Sequence, residues 1–466
     1  MSAPSVTGNI AARNLMRMFG KLRSQKHLAD AAVTFTVRVL SAFLAFGVQV
    51  LLARTLDLGD YGIYVTLWTW LIVVNHIAAF GFSESSIRFL PRYTQRRKYH
   101  WARGFLVTGY RVVILGSTLA AVIGIVLLTL ADDLLPQSYL LPMIVLLIGL
   151  PFTSLEIYLE GVSRSYGWFM LTIVPAYILR PLVIAGGAIG CVLMGHKPDA
   201  TIILGFGVFC TAIIVIVQAI IIRSRLNKMF PDAKSSGPKK LWLLATLPLT
   251  LTLAVDEIFT WSDILILGFL VSPEDVSVYF AAQRSMSLAA FIQYAFMLVM
   301  VRDFSLANAI RDKSALQKKI SNASNWTFWL TVPAVTLTLA GGYPLLWLFG
   351  PHFVSGYAIM FVLGIGYIMR AAVGQAQDLM IVLGYQKANI AISSGCILLN
   401  VVMSIILIPS FGIMGAALAT MVTYVVRSIA FAFAAYRLAG LWVLAGVPSF
   451  SLGANDNTSP FVAKEN

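Results

Sequence analysis

The stretch Leu52-Ala53-Arg54-Thr55-Leu56-Asp57-Leu58-Gly59-Asp60-Tyr61-Gly62-Ile63-Tyr64 returns without gaps as Leu267-Gly268-Phe269-Leu270-Val271-Ser272-Pro273-Glu274-Asp275-Val276-Ser277-Val278-Tyr279. Leu52, Asp60 and Tyr64 meet identical residues at Leu267, Asp275 and Tyr279. Three identities in thirteen positions gain weight from where the segments sit. Each closes one long apolar run and opens the next, so each is the turn from the first to the second span of a half-molecule. Working outward, the chain holds twelve apolar runs, near 30–53, 61–86, 104–130, 139–160, 169–194, 201–222, 241–270, 276–300, 325–349, 354–382, 388–408 and 413–436. A helix of about 20 apolar residues crosses a bilayer. Six runs precede residues 223–240 and six follow them. An even number returns the chain to the side it left, so both halves enter the membrane the same way. The pattern predicts an all-α integral membrane protein with two six-helix lobes, related by a pseudo-two-fold along the membrane normal. Parallel repeats of this kind place a substrate cavity between lobes near the midplane.

Charge agrees with that topology. Hydrophobic residues are 59% and charged residues 12% of the chain, about half the charged share of a soluble domain. The net charge of +14 would suggest nucleic acid in a soluble protein; here its distribution explains it, and no nucleic-acid partner is expected. Arg13, Arg17, Lys21, Arg23 and Lys26 precede the first run, and Arg88, Arg92, Arg96, Arg97, Lys98 and Arg103 follow the second. Further clusters lie at Arg223 to Lys240 and at Arg302 to Lys319, while the alternate connections hold only Arg54 and Lys197. The positive-inside rule then puts both termini of a multi-pass membrane protein in the cytoplasm. Cys191, Cys210 and Cys396 fall in apolar runs, without ligand spacing or a disulfide framework.

The predicted organisation is an arm at 1–29, a lobe at 30–222, a cytoplasmic linker at 223–240, a lobe at 241–437 and a disordered cytoplasmic tail at 438–466. The arm carries Ala11, Leu15, Met18 and Leu22 on one helical face, with Arg13, Arg17 and Lys21 opposite. This is a basic amphipathic pattern suited to the inner leaflet. No cleavable signal peptide is expected, because the arm lacks an apolar core before a small-residue cleavage site. The linker contains Pro231, Ser235, Ser236, Gly237 and Pro238. The tail has one short apolar patch, Leu441–Val447.

Several segments resemble the bacterial polysaccharide, or lipid-linked oligosaccharide, flippases of the multidrug/oligosaccharidyl-lipid/polysaccharide exporter superfamily. Trp261-Ser262-Asp263-Ile264-Leu265-Ile266-Leu267-Gly268, with Pro273 to Val276 and Tyr279 to Arg284, is similar to their seventh-to-eighth helix motif. Leu407 to Thr420 is similar to their eleventh-to-twelfth helix turn, and Leu52 to Tyr64 with Gly81 to Tyr93 to their first two helices. The resemblance covers about 30–437. It implies a translocase of the O-antigen or exopolysaccharide type, which flips isoprenyl-diphosphate-linked oligosaccharide to the periplasmic or outer leaflet by alternating access. Partners so implied are the lipid-linked oligosaccharide, membrane lipids, and the polymerase and assembly proteins of lipopolysaccharide or exopolysaccharide synthesis. No cofactor is expected.

Six arginines, at 38, 111, 180, 284, 370 and 427, fall inside the runs, and no lysine does. Charge inside a membrane is costly and usually functional. A diphosphate needs a replacement for its hydration, and the planar, permanently charged guanidinium suits it. The resemblance assigns Arg38 and Arg284 to the anionic head; Arg180, before Pro181, and Arg370 come next. The competing interpretation is structural: Asp256, Glu257, Asp263 and Asp378 neutralise arginines, and Arg111, Arg427 and Arg38 snorkel to the interface. The acids stay open in the same way. Asp256 and Asp263 share a helix face, and with Asp378 they suit coupling to protons or sodium, gating, or simple pairing. Glu84, Glu156 and Glu160 are expected at solvated helix ends. Pro175, Pro181, Pro248 and Pro333 are hinge candidates. No phosphate-binding glycine loop, metal cluster or nucleophilic triad is present, so the chain is read as a transporter and not an enzyme. The main rival is a multidrug cation antiporter on the same fold, whose pocket would favour carboxylates and aromatics over arginine. A scaffold or polymerase subunit is a third class, and a polymerase would carry a large outer loop.

Overall fold

The computed structural model describes residues 37, 39–130, 136–231, 234–290, 313–374 and 376–446. The amphipathic arm, Arg38, the acidic turn at Asp132 and Asp133, and the tail from 447 onward lie outside the described residues. What is described is all-helical, as the apolar runs require: hydrocarbon offers no hydrogen bonds, so each span must satisfy its own backbone. The helices are α1 (Val39–Thr55), α2 (Leu58–Ala78), α3 (Phe82–Gln95), α4 (Tyr99–Leu130), α5 (Gln137–Ser165), α6 (Phe169–Leu193), α7 (Ala200–Met229) and α8 (Lys239–Leu270). They continue with α9 (273–290), α10 (Lys313–Ala340), α11 (Gly342–Phe349), α12 (Pro351–Ala372), α13 (Ala376–Val382), α14 (Gln386–Phe411) and α15 (Ile413–Ala439). Among the described residues nine helices are long and apolar enough to cross a membrane, and the bent pair at Leu316–Ala340 and Gly342–Phe349 makes a tenth. The other two expected spans correspond to α1 and α9, which border undescribed residues. The chain is a multi-pass membrane protein.

The second run does not continue through 86 as its hydropathy predicts. It ends at Ala78, and Phe80 and Gly81 take left-handed backbone with φ of 49° and 61°. Glycine is needed at 81, because a Cβ there would stand 2.8 Å from the Thr246 carbonyl and 2.9 Å from the Thr250 amide. The separate, more polar α3 begins beyond this break. Pro175 leaves its mark in α6, where residues Pro175–Leu179 form one π-helical turn immediately before Arg180. A π turn widens the helix locally and re-aims the side chains that follow it.

The chain forms two compact units. The first contains the chain up to Glu257 together with Ser272–Ser277. Its central helix is α5, packed on α2, α3, α4 and α7. Phe82, Phe105, Tyr158 and Trp242 fill the core, with the Trp242 indole donating to the Tyr93 hydroxyl at 2.8 Å. Gly161 lets the Ser83 backbone approach α5, since a Cβ there would overlap it; small residues serve membrane helices this way. The predicted linker is part of this unit: residues 223–229 extend α7, Phe230 is buried, and the Ser236 amide donates to the His100 carbonyl at 3.2 Å.

The turn Ser272–Ser277 meets its own repeat. Ser277 Oγ donates to the Leu58 carbonyl at 2.6 Å, and Gly62 lies against the Pro273 carbonyl. In the repeat register Ser277 corresponds to Gly62 and Pro273 to Leu58, so each turn offers the other the same two positions. Gly62→Ala has no room for its methyl against the Pro273 backbone and is expected to cost about 1–3 kcal/mol. Gly47→Ala has open space within 4 Å and should cost nothing. Thermal denaturation of the purified variants checks this, and equal midpoints would show that the contact is loose.

The second unit contains Ile258–Val271 and the chain from Val278. α15 packs on α14 and α12, and α10 on α12. Residues 438–446 correct the expectation of a disordered tail. Leu441 and Val443 are buried with Leu316, Ile320, Met380 and Phe431. Gln317 binds the Trp442 amide at 2.9 Å and its carbonyl at 2.8 Å. The patch is too short to span but long enough to close the end of a helix bundle.

Candidate functional site

Each unit holds its own buried polar cluster. In the first, Arg180 follows the π turn of α6, and its Nη1 donates to Glu156 Oε2 on α5 at 2.6 Å. The Arg180 side chain is 22% exposed and that of Glu156 5%, so the carboxylate is enclosed while the guanidinium edge stays reachable. The guanidinium carbon lies 5.4 Å from the Trp68 ring centroid, a cation–π distance. Glu156 Oε1 is buried without a hydrogen-bond partner among the described residues. A guanidinium has five N–H donors in a fixed fork, so one carboxylate contact leaves capacity for a second anion. The expectation that Glu156 caps a solvated helix end is therefore wrong. Glu156 and Arg180 lie at nearly equal distance from the turn at Gly167, and the antiparallel hairpin of α5 and α6 brings them face to face.

Glu84 and Glu160 meet Arg164 at 2.9 and 3.7 Å, on the side of α5 that faces α3. His76 Nδ1 faces the Ile72 carbonyl at 2.8 Å, so that nitrogen carries the proton, and Nε2 looks towards Glu257 at 3.6 Å. At the opposite end of the unit Lys197 binds Asp57 at 2.8 Å, and this carboxylate holds the fully exposed ammonium above its ordinary pKa.

In the second unit Asp263 is 3% exposed. Its Oδ2 accepts from Tyr279 Oη at 2.7 Å and Gln283 Nε2 at 2.6 Å, and its Oδ1 from the Ile264 amide at 2.9 Å. These three donors are neutral, so the carboxylate is solvated by dipoles as buried charge requires. Tyr367 lies within electrostatic reach of Asp263, Arg284 and Arg370. The Arg370 guanidinium carbon lies 5.9 Å from the Tyr424 ring centroid. Ser262 donates to Asn400 Oδ1 at 3.0 Å beside Thr423. Arg427 does not snorkel: it binds Gln377 at 2.9 Å and Ser393 at 3.3 Å, 3.8 Å above the Phe259 ring. Arg111 is exposed.

The residues singled out from the sequence thus divide. Asp263, Arg284 and Arg370 gather around Tyr367, whereas Arg180 belongs to a separate cluster with Glu156. Arg38 lies outside the described residues. Asp256 on α8 and Asp378 in the first turn of α13 are half-buried and engaged by neighbours. Sequence reasoning missed Trp68, Tyr279, Gln283 and Tyr424. The signal for Tyr279 was available: it and Asp263 lie eight residues either side of Val271, mirrored across the hairpin turn.

A model of the polysaccharide biosynthesis protein family matches residues 27–301. Two Haloferax volcanii proteins are similar over shorter stretches. One, named a probable flippase, AglR, is 25% identical over 177 residues, 37% of each chain. The other, Agl15, named a probable low-salt glycan biosynthesis flippase, is 24% identical over 175 residues, 37% of this chain and 36% of its own. The match therefore spans little more than a third of the length of either relative. Among solved structures, the lipid II flippase MurJ in an inward closed conformation has a TM-score of 0.68 at 14% identity, over 86% of this chain and 87% of its own. An inward-facing multidrug resistance MATE family transporter of the MOP superfamily scores 0.68 at 14% identity, over 86% of this chain and 94% of its own. At such identity the likeness establishes the fold, that of the MOP-superfamily transporters. With more than half its length matched by the family model, the chain belongs to the polysaccharide biosynthesis protein family.

Proposed function

We propose that this protein flips isoprenyl-diphosphate-linked oligosaccharide from the cytoplasmic to the periplasmic or outer leaflet, by alternating access with an arginine-lined cavity. Membership of the polysaccharide biosynthesis protein family carries this proposal. The clustered arginines support it chemically. Arg284 and Arg370 in one unit, Arg180 in the other, and Arg38 take the role of replacing water around the diphosphate. Asp263, Asp256 and Asp378 take the role of coupling or gating, with protons or sodium as the driving ion. The functional lobes are 30–222 and 241–437 joined by 223–240, in the inner membrane of a bacterium. The glycan then passes to polymerase and assembly proteins for surface or exported polysaccharide.

Deleting the gene should abolish exported polysaccharide without changing drug sensitivity. The MATE likeness, equal in TM-score, supports a multidrug cation antiporter as the second reading; drug hypersensitivity on deletion with intact glycan would decide for it. The orientation is tested separately. Reporter fusions at residues 58, 134, 198 and 273 are expected outside, and those at 97, 236 and 314 inside. An outside signal at any of the last three would overturn the topology.

A further inference from the structure

The first unit has a groove that the transport mechanism leaves unused. It lies among α4, α5 and α7 and has a cavity volume of about 500 Å³. Tyr158, Leu159, Val162 and Ile222 line its apolar floor, all of them buried. Arg103, Arg111 and Arg223 stand around it. Arg103 turns to the Phe230 carbonyl and Asn227 Oδ1, each at 3.4 Å, and closes one end. Arg111 and Arg223 are exposed, and no carboxylate among the described residues lines the groove.

Two observations indicate what fills it. The faces around it belong to hydrocarbon: Leu115, Leu119 and Val126 on α4 and Ile213, Ile216 and Ile220 on α7 are all large, apolar and exposed. A hollow opening on hydrocarbon loses contacts unless an acyl chain occupies it. The three guanidiniums, without a carboxylate partner among the described lining residues, supply a matching site for a phosphate. The groove also stands at the end of the unit that carries the basic loops around Arg96–Arg97–Lys98 and Arg223–Lys228. By the orientation proposed above, that end meets the cytoplasmic leaflet. Basic pockets between helices at that surface bind anionic lipid heads.

We propose that this groove is a binding site for one anionic phospholipid of the inner leaflet, with its phosphate between Arg111 and Arg223 and an acyl chain on the Tyr158–Val162 floor. The lining favours a phospholipid over the glycan cargo. Apart from arginine it offers only Asn227 and tyrosine hydroxyls, too few groups to order an oligosaccharide. The inference rests on the orientation and not on the cargo, and its test reads lipid binding and not glycan export, so the two can fail separately.

The test uses the full-length purified protein in detergent. Dioleoyl phosphatidylglycerol and dioleoyl phosphatidylcholine are titrated, with retained lipid counted by native mass spectrometry and the melting midpoint followed in parallel. Phosphatidylglycerol should be retained at one per chain and raise the midpoint; phosphatidylcholine should do neither. Arg111→Ala with Arg223→Ala should weaken phosphatidylglycerol binding roughly 25-fold, about fivefold for each charge. Arg111→Lys with Arg223→Lys should keep most of it. Ala219→Phe, which fills the groove without touching a charge, should also expel the lipid, and it answers the question independently if the double variant is poorly folded. Equal response to the two lipids, or unchanged retention in the alanine and Ala219→Phe variants, would overturn the proposal. So would displacement of phosphatidylglycerol by undecaprenyl diphosphate at equal or lower concentration, which would assign the groove to the cargo.

Discussion

Arg180→Ala is expected to stop glycan export and to destabilise the protein by about 3–5 kcal/mol, the cost of removing one partner from a buried ion pair. Glu156 would be left with an uncompensated carboxylate in a side chain 5% exposed, its Oε1 already without a hydrogen-bond partner among the described residues. The pair Glu156→Gln with Arg180→Gln removes both charges together and should recover most of the stability, because the penalty lies in the orphaned charge and not in the lost attraction. It should not recover export, since position 180 then offers the anionic head no guanidinium. Melting midpoints and exported glycan, measured on the same three proteins, separate the two roles. If the double variant restores export along with stability, Arg180 is structural only.

Arg284→Ala is expected to abolish exported polysaccharide while the protein stays inserted and abundant. A desolvated phosphate without a cationic partner costs several kcal/mol, roughly, and at about 1.4 kcal/mol per tenfold in rate that leaves no measurable flux. Arg284→Lys keeps the charge, loses the bidentate fork and should be partly active. Asp263→Asn in the same cluster separates pairing from coupling. Its carboxylate is held by Tyr279, Gln283 and the Ile264 amide, all neutral, so an amide of the same shape can keep most of the contacts. A mild loss of export would make Asp263 a holding group; a loss as severe as that of Arg284→Ala would make it the coupling acid.

The helices were legible because twelve runs of hydrocarbon length leave the backbone no alternative to helix. What escaped hydropathy were local features that do not alter a window average. The break at Phe80–Gly81 sits between two helices and is enforced by the closeness of Thr246 and Thr250, which only the fold brings there. The π turn at Pro175–Leu179 depends on how α6 absorbs its prolines. Residues 438–446 look like a tail because so short an apolar patch cannot span, yet Leu441 and Val443 are enough to cover the cluster around Leu316 and Phe431. The polar clusters lay between these extremes. Arginine inside an apolar run announces itself, but its partner lies on another helix. Glu156 with Arg180 and Asp263 with Tyr279 could have been paired by reflecting one arm of each hairpin onto the other across its turn. Gln377 and Ser393 against Arg427 could not, because those contacts join helices α13, α14 and α15 without such a mirror.

The most direct measurement uses proteoliposomes of the purified protein that carry a fluorescent short glycan on an isoprenyl diphosphate, with a membrane-impermeant quencher reporting the leaflet. The wild type should move the label to the opposite leaflet, and Arg284→Ala in the same lipid should leave it in place. Equal movement by both proteins would remove the arginine from the transport step, and uptake of a lipophilic cation with no movement of the glycan lipid would contradict the flippase assignment itself.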